Sequence, residues 1–452
     1  MKSEANFRHS PRSLVGNPWI PCQWPQGMTI LIVLLLFSLI VEAQTPASAP
    51  LPDLSVTQVL RMAEAASPDL KAAIERERAA EQNIRVFKSF YYPTFDAQAI
   101  DSYGFPGSSR DLHIVSGLMS SAFRSGPAAG ITANLDLYNA GRQYAVRTAQ
   151  RELDAVKAKT QIVRYEIDQR ALGIFLDASR FRGQEEAYNQ IIKEVLGVEK
   201  EVNHYVVTGQ RSVVEKLLVH DQTADAQMTA ASFHERYGVA LERLAVVTTS
   251  TASALSIPTP QRVPEEALGL IKISYQSPLV LQAIAESAVA HSEVQQFSAQ
   301  NYPKLQAIAS AGDVDEARLV SKKYYSGGFG FEVPLFEGYR IDAAVRQAQA
   351  LASARDSDQL AVQMDIDQIN AHYDEIIRSS RVKLDYLQDE ADAAGQAFHL
   401  AKERYFTFQG TLVDLREAIR NLARVQSEII DVKTDLLLAA GSKALLNGAT
   451  IQ

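Results

Sequence analysis

The stretch ITANLDLYNAGRQYAVRTAQREL, residues 131–153, decides the fold because its hydrophobic period changes at one point. Ile131, Ala133 and Leu135 alternate with polar residues, which is the two-residue period of a β-strand with one apolar face. From Gly141 onward the alternation stops, and a long run rich in Ala, Gln, Arg and Glu begins. These are strong helix formers. The chain is therefore predicted to pass directly from a strand into a helix.

Three other segments show the same alternation, and they complete a set of four strands. We predict strands at about 92–103, 130–139, 302–311 and 328–337, so that each half of the chain contributes one hairpin. A loop containing Gly, Ser and Pro, at about 104–127, separates the first two strands.

The helical runs that follow the hairpins are unusually long. Residues 142–206 and 340–406 contain no proline and very few glycines. At about 1.5 Å per residue, each run corresponds to close to 100 Å of continuous helix. We predict long helices with coiled-coil packing, based on the three-four apolar spacing in the last of them. Their expected ranges are about 141–206, 211–247, 339–406 and 411–440.

The chain also contains an internal duplication. Ser67-Pro68 and Tyr92-Pro93 recur, 210 residues later, as Ser277-Pro278 and Tyr302-Pro303. The strand-to-helix step at 137–142 and the turn at 205–209 have counterparts at 335–340 and 405–410, in the same order. We therefore predict two structural repeats, residues 44–255 and 264–446, which meet at a proline-containing segment.

The first 43 residues are predicted to be a secretory signal peptide. An apolar run at 29–41 is too short to span a membrane comfortably, and small residues follow it near Ala43. The start codon is either Met1 or Met28. The single cysteine, Cys22, precedes the apolar run, so the exported chain would contain no disulfide.

Composition and motifs argue against several classes of function. The formal net charge is -8 and basic blocks are absent from the sequence, so nucleic acid is not expected as a partner. The eight histidines lack the spacing of a metal site, and no nucleophile motif or phosphate-binding loop is present. We expect neither an enzyme nor a bound cofactor.

Four strands cannot close a barrel, and an open sheet edge in lipid leaves backbone groups without hydrogen bonds. The chain is therefore expected to oligomerise. Three copies would supply twelve strands, enough to enclose a lumen. Apolar side chains would face lipid, whereas Asp96, Asn134, Asp136 and Glu332 would face water. The long helices would continue below the barrel as a hollow bundle.

The segment RYFTFQGTLVDLREA, residues 404–418, resembles the RYxxGxGTxxDVLDA segment of the TolC-like outer-membrane efflux proteins. The Ser-Pro and Tyr-Pro pairs of both halves and the Leu-aromatic-x-x-Gly step extend this resemblance over nearly the whole exported chain. It implies a mainly α fold with a β-barrel part. The protomer would be a duplicated unit of long helices and four strands, and its homotrimer would form a 12-stranded barrel and a periplasmic tunnel.

The resemblance also implies a function, a location and partners. The expected function is the outer-membrane channel-tunnel of a tripartite efflux or type I secretion system, a passive exit duct for small molecules. Its partners would be outer-membrane lipid, a periplasmic adaptor (membrane fusion) protein and an inner-membrane pump. Two alternatives are a duct for secreted proteins and a non-conducting helical scaffold of the envelope. Polar inward faces on the strands favour a water-filled lumen over the scaffold.

The resemblance implies a gate at the periplasmic entrance, formed by Asp414, Glu417 and Glu215. Asp414 and Glu417 are three residues apart and share a helix face, although acids are also favoured near any helix N-terminus by the helix dipole. The same tips would contact the adaptor, and two departures from the family pattern occur there, Phe408 and Arg416. The expected tip residues are Tyr205, Thr208, Gly209, Arg404, Tyr405, Gly410 and Thr411.

Overall fold

The computed structural model describes residues 53–102, 126–263, 272–273, 276–316 and 320–450. The predicted signal peptide, residues 1–43, and most of the predicted loop at 104–127 lie outside the described residues. In the first half, two helices lead into a hairpin and then into two long helices. These elements are α1 (Val56–Ala66), α2 (Pro68–Ser89), β1 (Thr94–Ser102), β2 (Gly126–Asn139), α3 (Ala140–Val207) and α4 (Val213–Thr248).

The second half repeats the order of helix, hairpin and two long helices. Its elements are β3 (Lys272–Ile273), α5 (Pro278–Ser298), β4 (Lys304–Glu316), β5 (Val320–Glu332), α6 (Arg340–Phe406), α7 (Leu412–Leu446) and β6 (Ala449–Thr450). The long helices begin and end within one or two residues of the sequence prediction, except that α7 continues through Gly441 to Leu446. Helices α3 and α6 contain 68 and 67 residues, about 100 Å each.

Side-chain caps set the beginnings of several helices. The Ser67 hydroxyl accepts a hydrogen bond from the backbone N–H of Leu70, and proline occupies the first position of α2. Ser277 caps α5 with a hydroxyl that accepts from the backbone N–H of Leu279, and proline again occupies the first position of the helix. The duplicated Ser-Pro pairs are therefore helix starts. Asn139, the last residue of β2, accepts a hydrogen bond from the N–H of Gly141 and so begins α3 without a loop.

The four long strands form one antiparallel sheet in the order β1-β2-β4-β5. Asp96, Thr132, Ser310 and Ser326 lie opposite one another across all four strands and therefore share one face. By the same register, the predicted water-facing residues lie on this polar face, whereas the other face is mainly apolar and carries exposed aromatic rings. The polar-face predictions are Asp96, Asn134, Asp136 and Glu332, and the rings are Phe95, Phe329 and Phe331.

The strand boundaries correct part of the sequence prediction. β5 starts eight residues earlier than expected and ends at Glu332, so the predicted strand residues 333–337 are not extended in the sheet. Pro334 explains this end, because proline cannot donate a ladder hydrogen bond. The described residues also contain two short strands that the sequence did not predict, β3 and β6, which pair with each other.

The helices pack side by side in an order that matches the strands. Next to the sheet the order is α2–α3–α5–α6. At the opposite end, where α4 and α7 take the places of α2 and α5, the order is α4–α3–α7–α6. Each strand is thus joined to the helix that occupies the same place in the row, which leaves α6 at one edge and α2 or α4 at the other.

Buried positions in α7 recur every 11 residues. Ile419, Ile430 and Gly441 form one such series, and Ala423, Thr434 and Leu445 form another. An 11-residue repeat corresponds to about 3.67 residues per turn, and it favours a right-handed supercoil in place of the left-handed supercoil of a heptad repeat. The helices pair as in a coiled coil, with this spacing in place of the heptad. Gly441 permits the closest approach, since a Cβ there would lie 2.7 Å from Cδ2 of Leu172.

A buried strap, residues 255–263, connects the two halves and crosses α3. Arg182 donates hydrogen bonds to the backbone oxygen of Ile257 and to Asp53, at 2.8 Å for the carboxylate. Ser179 donates to the backbone oxygen of Pro258 at 2.6 Å. Gly183 makes room for the strap, because a Cβ there would lie 2.9 Å from Pro260 and 3.2 Å from Ile430 of α7. The strap therefore fixes α3 to α7 at this level.

No helix in the described ranges is both long enough and apolar enough to cross a membrane.

Candidate functional site

The two turns that end the long helices lie together and have the same backbone form. In the first, α3 ends at Val207 and Gly209 has a φ of 76°. In the second, α6 ends at Phe406 and Phe408 has a φ of 62°. Left-handed residues commonly end helices, and glycine is usual there because other residues are strained. Phe408 is therefore the equivalent of Gly209, which corrects the sequence pairing of Gly209 with Gly410.

Gly410 has a different role in its turn. A Cβ at this position would lie 3.0 Å from Cβ of Arg404 and 3.2 Å from the backbone nitrogen of Tyr405. The glycine thus allows the chain to pass close to the end of α6 before α7 begins. Any larger residue would have to displace backbone atoms.

One set of contacts connects the two turns, and we call it the tip clasp; its residues are Tyr205, Arg211, Glu215, Tyr405 and Phe408. The hydroxyl of Tyr405 donates a hydrogen bond to the Glu215 carboxylate at 2.6 Å. Arg211 donates a hydrogen bond to the backbone oxygen of Tyr405 and lies 3.7 Å from the Glu215 carboxylate. The clasp therefore joins the α3–α4 turn to the end of α6.

Aromatic rings complete the tip clasp. The guanidinium of Arg211 lies 4.2 Å from the ring centre of Tyr405 and 4.4 Å from that of Phe408. Tyr205 contacts the ring of Phe408 edge-on, with centres 5.7 Å apart. The side chain of Arg211 is only 12% exposed, so its cation–π contacts are largely shielded from water.

Burial controls the ionisation of the clasp. Tyr405 is fully buried, and this burial, followed by the hydrogen bond to Glu215, raises the pKa of its phenol well above the ordinary value. The phenol therefore stays protonated and remains a hydrogen-bond donor throughout the physiological pH range. Arg211 opposes this shift of the Tyr405 pKa only in part.

The predicted gate residues occupy three different settings. Glu215 is half-buried within the clasp. Asp414 is exposed and forms a capping box, in which its carboxylate accepts from the N–H and hydroxyl of Thr411 and its own N–H donates to Thr411. These bonds lower the pKa of Asp414. Glu417 is exposed one turn further along α7. Asp414 and Glu215 occupy the same position, the third, of α7 and α4.

The other predicted tip residues lie in the same turns. Thr208 is the C-cap of α3, and its hydroxyl donates to the backbone oxygens of His204 and Tyr205. Thr411 caps α7, and Arg404 is exposed on the last turn of α6. The structure thus brings all of the predicted tip positions to one end of the helix row.

The sequence reading missed the most highly connected residue of the tip, Arg211. Its position, two residues after the turn glycine, could have marked it as a tip residue. Its contacts could not be predicted from the local sequence, because its partners Tyr405 and Phe408 belong to the other half of the chain. The sequence analysis noted Arg416 only as a departure from the family pattern. In the structure it adds a second connection between the two halves of the chain at the tip. Its guanidinium donates to Gln222 at 3.2 Å and lies 3.5 Å from Asp221, so α7 is joined to α4.

The left-handed Phe408 gives a test of local strain. In Phe408→Ala the ring contacts are lost and the strained backbone remains, whereas in Phe408→Gly both the ring and the strain are removed. We expect the glycine variant to keep about 1 kcal/mol more local stability than the alanine variant. Hydrogen exchange at the N–H of Gln409, which donates to the backbone oxygen of Arg404, measures this difference. Equal protection in both variants would show that the turn is not strained.

Within the part of the chain that is described, no group of three or more His, Cys, Asp or Glu side chains is arranged to hold a metal ion. No curated protein sequence matches the chain.

Solved structures share the fold. VceC from Vibrio cholerae has 16% identical residues and a TM-score of 0.71, over 88% of this chain and 97% of that chain. CmeC from Campylobacter jejuni has 15% identity and a TM-score of 0.69, over 88% and 86%. The open state of MtrE from Neisseria gonorrhoeae has 14% identity and a TM-score of 0.68, over 88% and 90%. All three are outer-membrane proteins, and two are described as channels.

The family model described as outer membrane efflux protein matches residues 59–249 and 272–442. The two matched ranges lie in the two halves of the chain and cover most of its length. They include the sheet, the long helices and both tip turns. The chain belongs to the outer membrane efflux protein family.

Proposed function

We propose that the chain is one protomer of a trimeric channel-tunnel that provides a passive exit duct through the outer membrane for small molecules. The observation that carries this proposal is the four-stranded sheet, which has one polar face, one mainly apolar face and two open edges, and whose strands are joined to helices in the same order. A closed ring of such sheets would present its apolar face to lipid and its polar face to water.

The helices extend this duct away from the membrane into the periplasm. About 100 Å of continuous helix is sufficient for a tunnel that reaches a partner well below the barrel. Transport energy would come from an inner-membrane pump, connected by a periplasmic adaptor protein that docks at the tip turns. The complex would be a tripartite efflux or type I secretion system, and the channel itself would catalyse no reaction.

Conduction separates this proposal from a structural scaffold. Purified protein in planar lipid bilayers should give discrete single-channel currents, and cells that lack the gene should retain a fluorescent efflux substrate until the gene is restored. A protein that reaches the outer membrane, assembles, and neither conducts nor restores efflux would support the scaffold instead.

At the entrance, the proposed gate consists of Asp414, Glu417 and Glu215. In a trimer the exposed Asp414 and Glu417 would place six carboxylates around the axis. Such a ring attracts multivalent cations. The hydrogen bond that Glu215 accepts from Tyr405 and its ion pair with Arg211 would hold the entrance closed.

The variant Asp414→Asn/Glu417→Gln removes the charges but keeps a side chain that can cap α7. We expect the La³⁺ concentration that halves the bilayer current to rise at least tenfold, since six charges around the axis are lost. Glu201→Gln, at an exposed acid on α3 near the tip, serves as the control and should leave the block unchanged. Equal block in the double variant and the wild type would remove both residues from the gate.

A further inference from the structure

A groove lies over α3 near the tips, between α4 and α7. Its floor is formed by Tyr188 and Ile191 of α3, and its volume is about 360 Å³. The small side chains of Ala226 and Ala423 line its two walls, so α4 and α7 do not close over α3 at this level. Volumes of this size are typical of small-molecule binding sites.

Two opposite charges face each other across this groove. Asp225 lies on the α4 wall and Arg420 on the α7 wall, and both side chains are exposed. Their levels follow from the neighbouring Arg416, which contacts Gln222 and Asp221, 194 and 195 positions earlier in the chain. Asp225 and Arg420 are also 195 positions apart, and both helices run away from the tips. The acid and the base therefore lie at the same level.

Neither of these two charges is neutralised within the described part of the chain. There, the carboxylate of Asp225 and the guanidinium of Arg420 form no ion pair and no hydrogen bond. The other charged residues of the groove have partners, since Arg424 donates to Glu428 and Asp431 lies 3.6 Å from an arginine of α3. An unpaired acid opposite an unpaired base is complementary to a molecule that carries both charges.

The floor of the groove offers an apolar surface beside Asp225. Tyr188 packs against Phe233, with ring centres 5.5 Å apart. Burial, followed by the charge of Asp225, raises the pKa of the Tyr188 phenol, so the phenol stays protonated near that carboxylate. Ile191 and Ile419 extend the apolar surface. The apolar body of a bound molecule would lie against these side chains while its charged groups reach both walls.

The groove opens on the side of α7 that carries a proposed gate residue. Arg424 and Glu428, which line the groove, follow Glu417 by 7 and 11 residues. At about 100° per residue, both lie within about 20° of the direction of Glu417. Arg420 follows Glu417 by one helical turn. In the proposed channel, the groove therefore faces the tunnel directly inside its entrance.

We propose that this groove binds zwitterionic solutes with an apolar body as they enter the tunnel, with Asp225 holding the ammonium group and Arg420 the carboxylate. The proposal rests on the duct and the gate described above, and it adds a class of solute that the tunnel wall recognises. A solute with a single charge would leave Asp225 or Arg420 without a partner and would bind less tightly. Because both side chains are exposed to water, binding is weak and the solute can leave.

Three fluorescent probes that differ in charge test the site. Nε-dansyl-lysine carries an ammonium group and a carboxylate at the end of an alkyl chain, dansylcadaverine lacks the carboxylate, and dansylaminohexanoate lacks the ammonium group. Each probe is titrated against the full-length protein in lipid nanodiscs, and the signal of empty nanodiscs is subtracted. We expect dansyl-lysine to bind about ten times more tightly than either of the other probes.

Substitutions should separate the probes by charge. Asp225→Asn should weaken the binding of dansyl-lysine about tenfold and leave that of dansylaminohexanoate unchanged. Arg420→Gln should weaken the binding of dansyl-lysine to a similar degree and leave that of dansylcadaverine unchanged. The matched controls Glu242→Gln and Lys200→Gln remove exposed charges of α4 and α3 outside the groove, and they should change no affinity. A general loss of structure would weaken all three probes together.

Other results overturn the proposal. Equal affinities of the three probes for the wild type would mean that only the apolar body is recognised. Unchanged affinities in both Asp225→Asn and Arg420→Gln would place the probes elsewhere. Single-channel recording of the same preparations separates the site from the duct. A conducting protein without the charge-dependent pattern contradicts only the site, whereas this pattern in a protein that does not conduct contradicts only the duct.

Discussion

Replacing Arg211 with alanine is expected to raise the open fraction of the channel entrance by about two orders of magnitude. Arg211 contacts the Tyr405 backbone oxygen, the Glu215 carboxylate and the rings of Tyr405 and Phe408 in the tip clasp. Removing a charged donor from such a shielded site costs about 3 kcal/mol, and each 1.4 kcal/mol is a factor of about ten. In the proposed gate only the closed state makes these contacts, so the variant destabilises that state relative to the open one.

Single-channel recording measures this change as longer open times and a larger mean current. Arg404→Ala is the matched control, since Arg404 is an exposed arginine of the same tip and should alter the current little. Tyr405→Phe removes only the hydrogen bond to Glu215 and should have an intermediate effect, about tenfold. If Arg211→Ala and Arg404→Ala gave the same current, the clasp would not hold the entrance.

Replacing Asp168 with asparagine is expected to stabilise the protein, and more strongly as the pH rises. Asp168 lies on α3, is 3% exposed, and has a carboxylate oxygen without a hydrogen bond. Burial, followed by the charge of Glu64 on α1, raises the pKa of Asp168 from 3.8 to about 8, although Arg164 opposes the shift. Folding therefore favours the protonated carboxyl.

The direction of the pH effect follows from linkage. Because the folded protein binds this proton more tightly than the unfolded chain, the contribution of Asp168 to stability is lost progressively between about pH 4 and pH 8. Asparagine has no such proton to lose. The free energy of unfolding of Asp168→Asn should exceed that of the wild type only slightly at pH 4, and the difference should reach an order of 3–5 kcal/mol above pH 8.

Thermal unfolding of detergent-solubilised protein from pH 5 to pH 9 provides the measurement. The difference in midpoint between Asp168→Asn and the wild type should grow across this range. Asp177→Asn, an exposed site on the same helix, should show no such trend. A constant difference at every pH would mean that Asp168 is already charged in the folded protein.

Local patterns predicted the secondary structure well because each element here has an uninterrupted period. The alternation from Ile131 to Leu137 identified a strand with one polar face, and the absence of proline after Gly141 identified a helix of about 100 Å. The strand end at Glu332 was missed because Val333 and Leu335 continue the apolar alternation past Pro334. The proline stops hydrogen bonding there although it does not interrupt the pattern.

The candidate site was only partly predictable, because its contacts connect residues about 190 positions apart. A sequence comparison paired Gly209 with Gly410, but backbone geometry pairs Gly209 with Phe408, a residue that no local rule places at a left-handed position. Similarly, the three-four spacing in α7 suggested heptads, whereas the buried positions follow an 11-residue interval. The neighbouring helices select which apolar residues are buried, and the sequence of one helix does not contain that information.

The strap that crosses α3 at Gly183 also determines how the entrance can move. Because the strap fixes α3 to α7 at that level, it acts as a fulcrum, and the helix from Gly183 to Val207 is a lever arm of about 36 Å. A rotation of only about 8° at the fulcrum displaces the end of such an arm by about 5 Å. In the proposed channel, a bend of this size at Gly183 would widen the entrance by several ångströms while the sheet keeps its position, and α4, α6 and α7, which pack against the arm, would move with it.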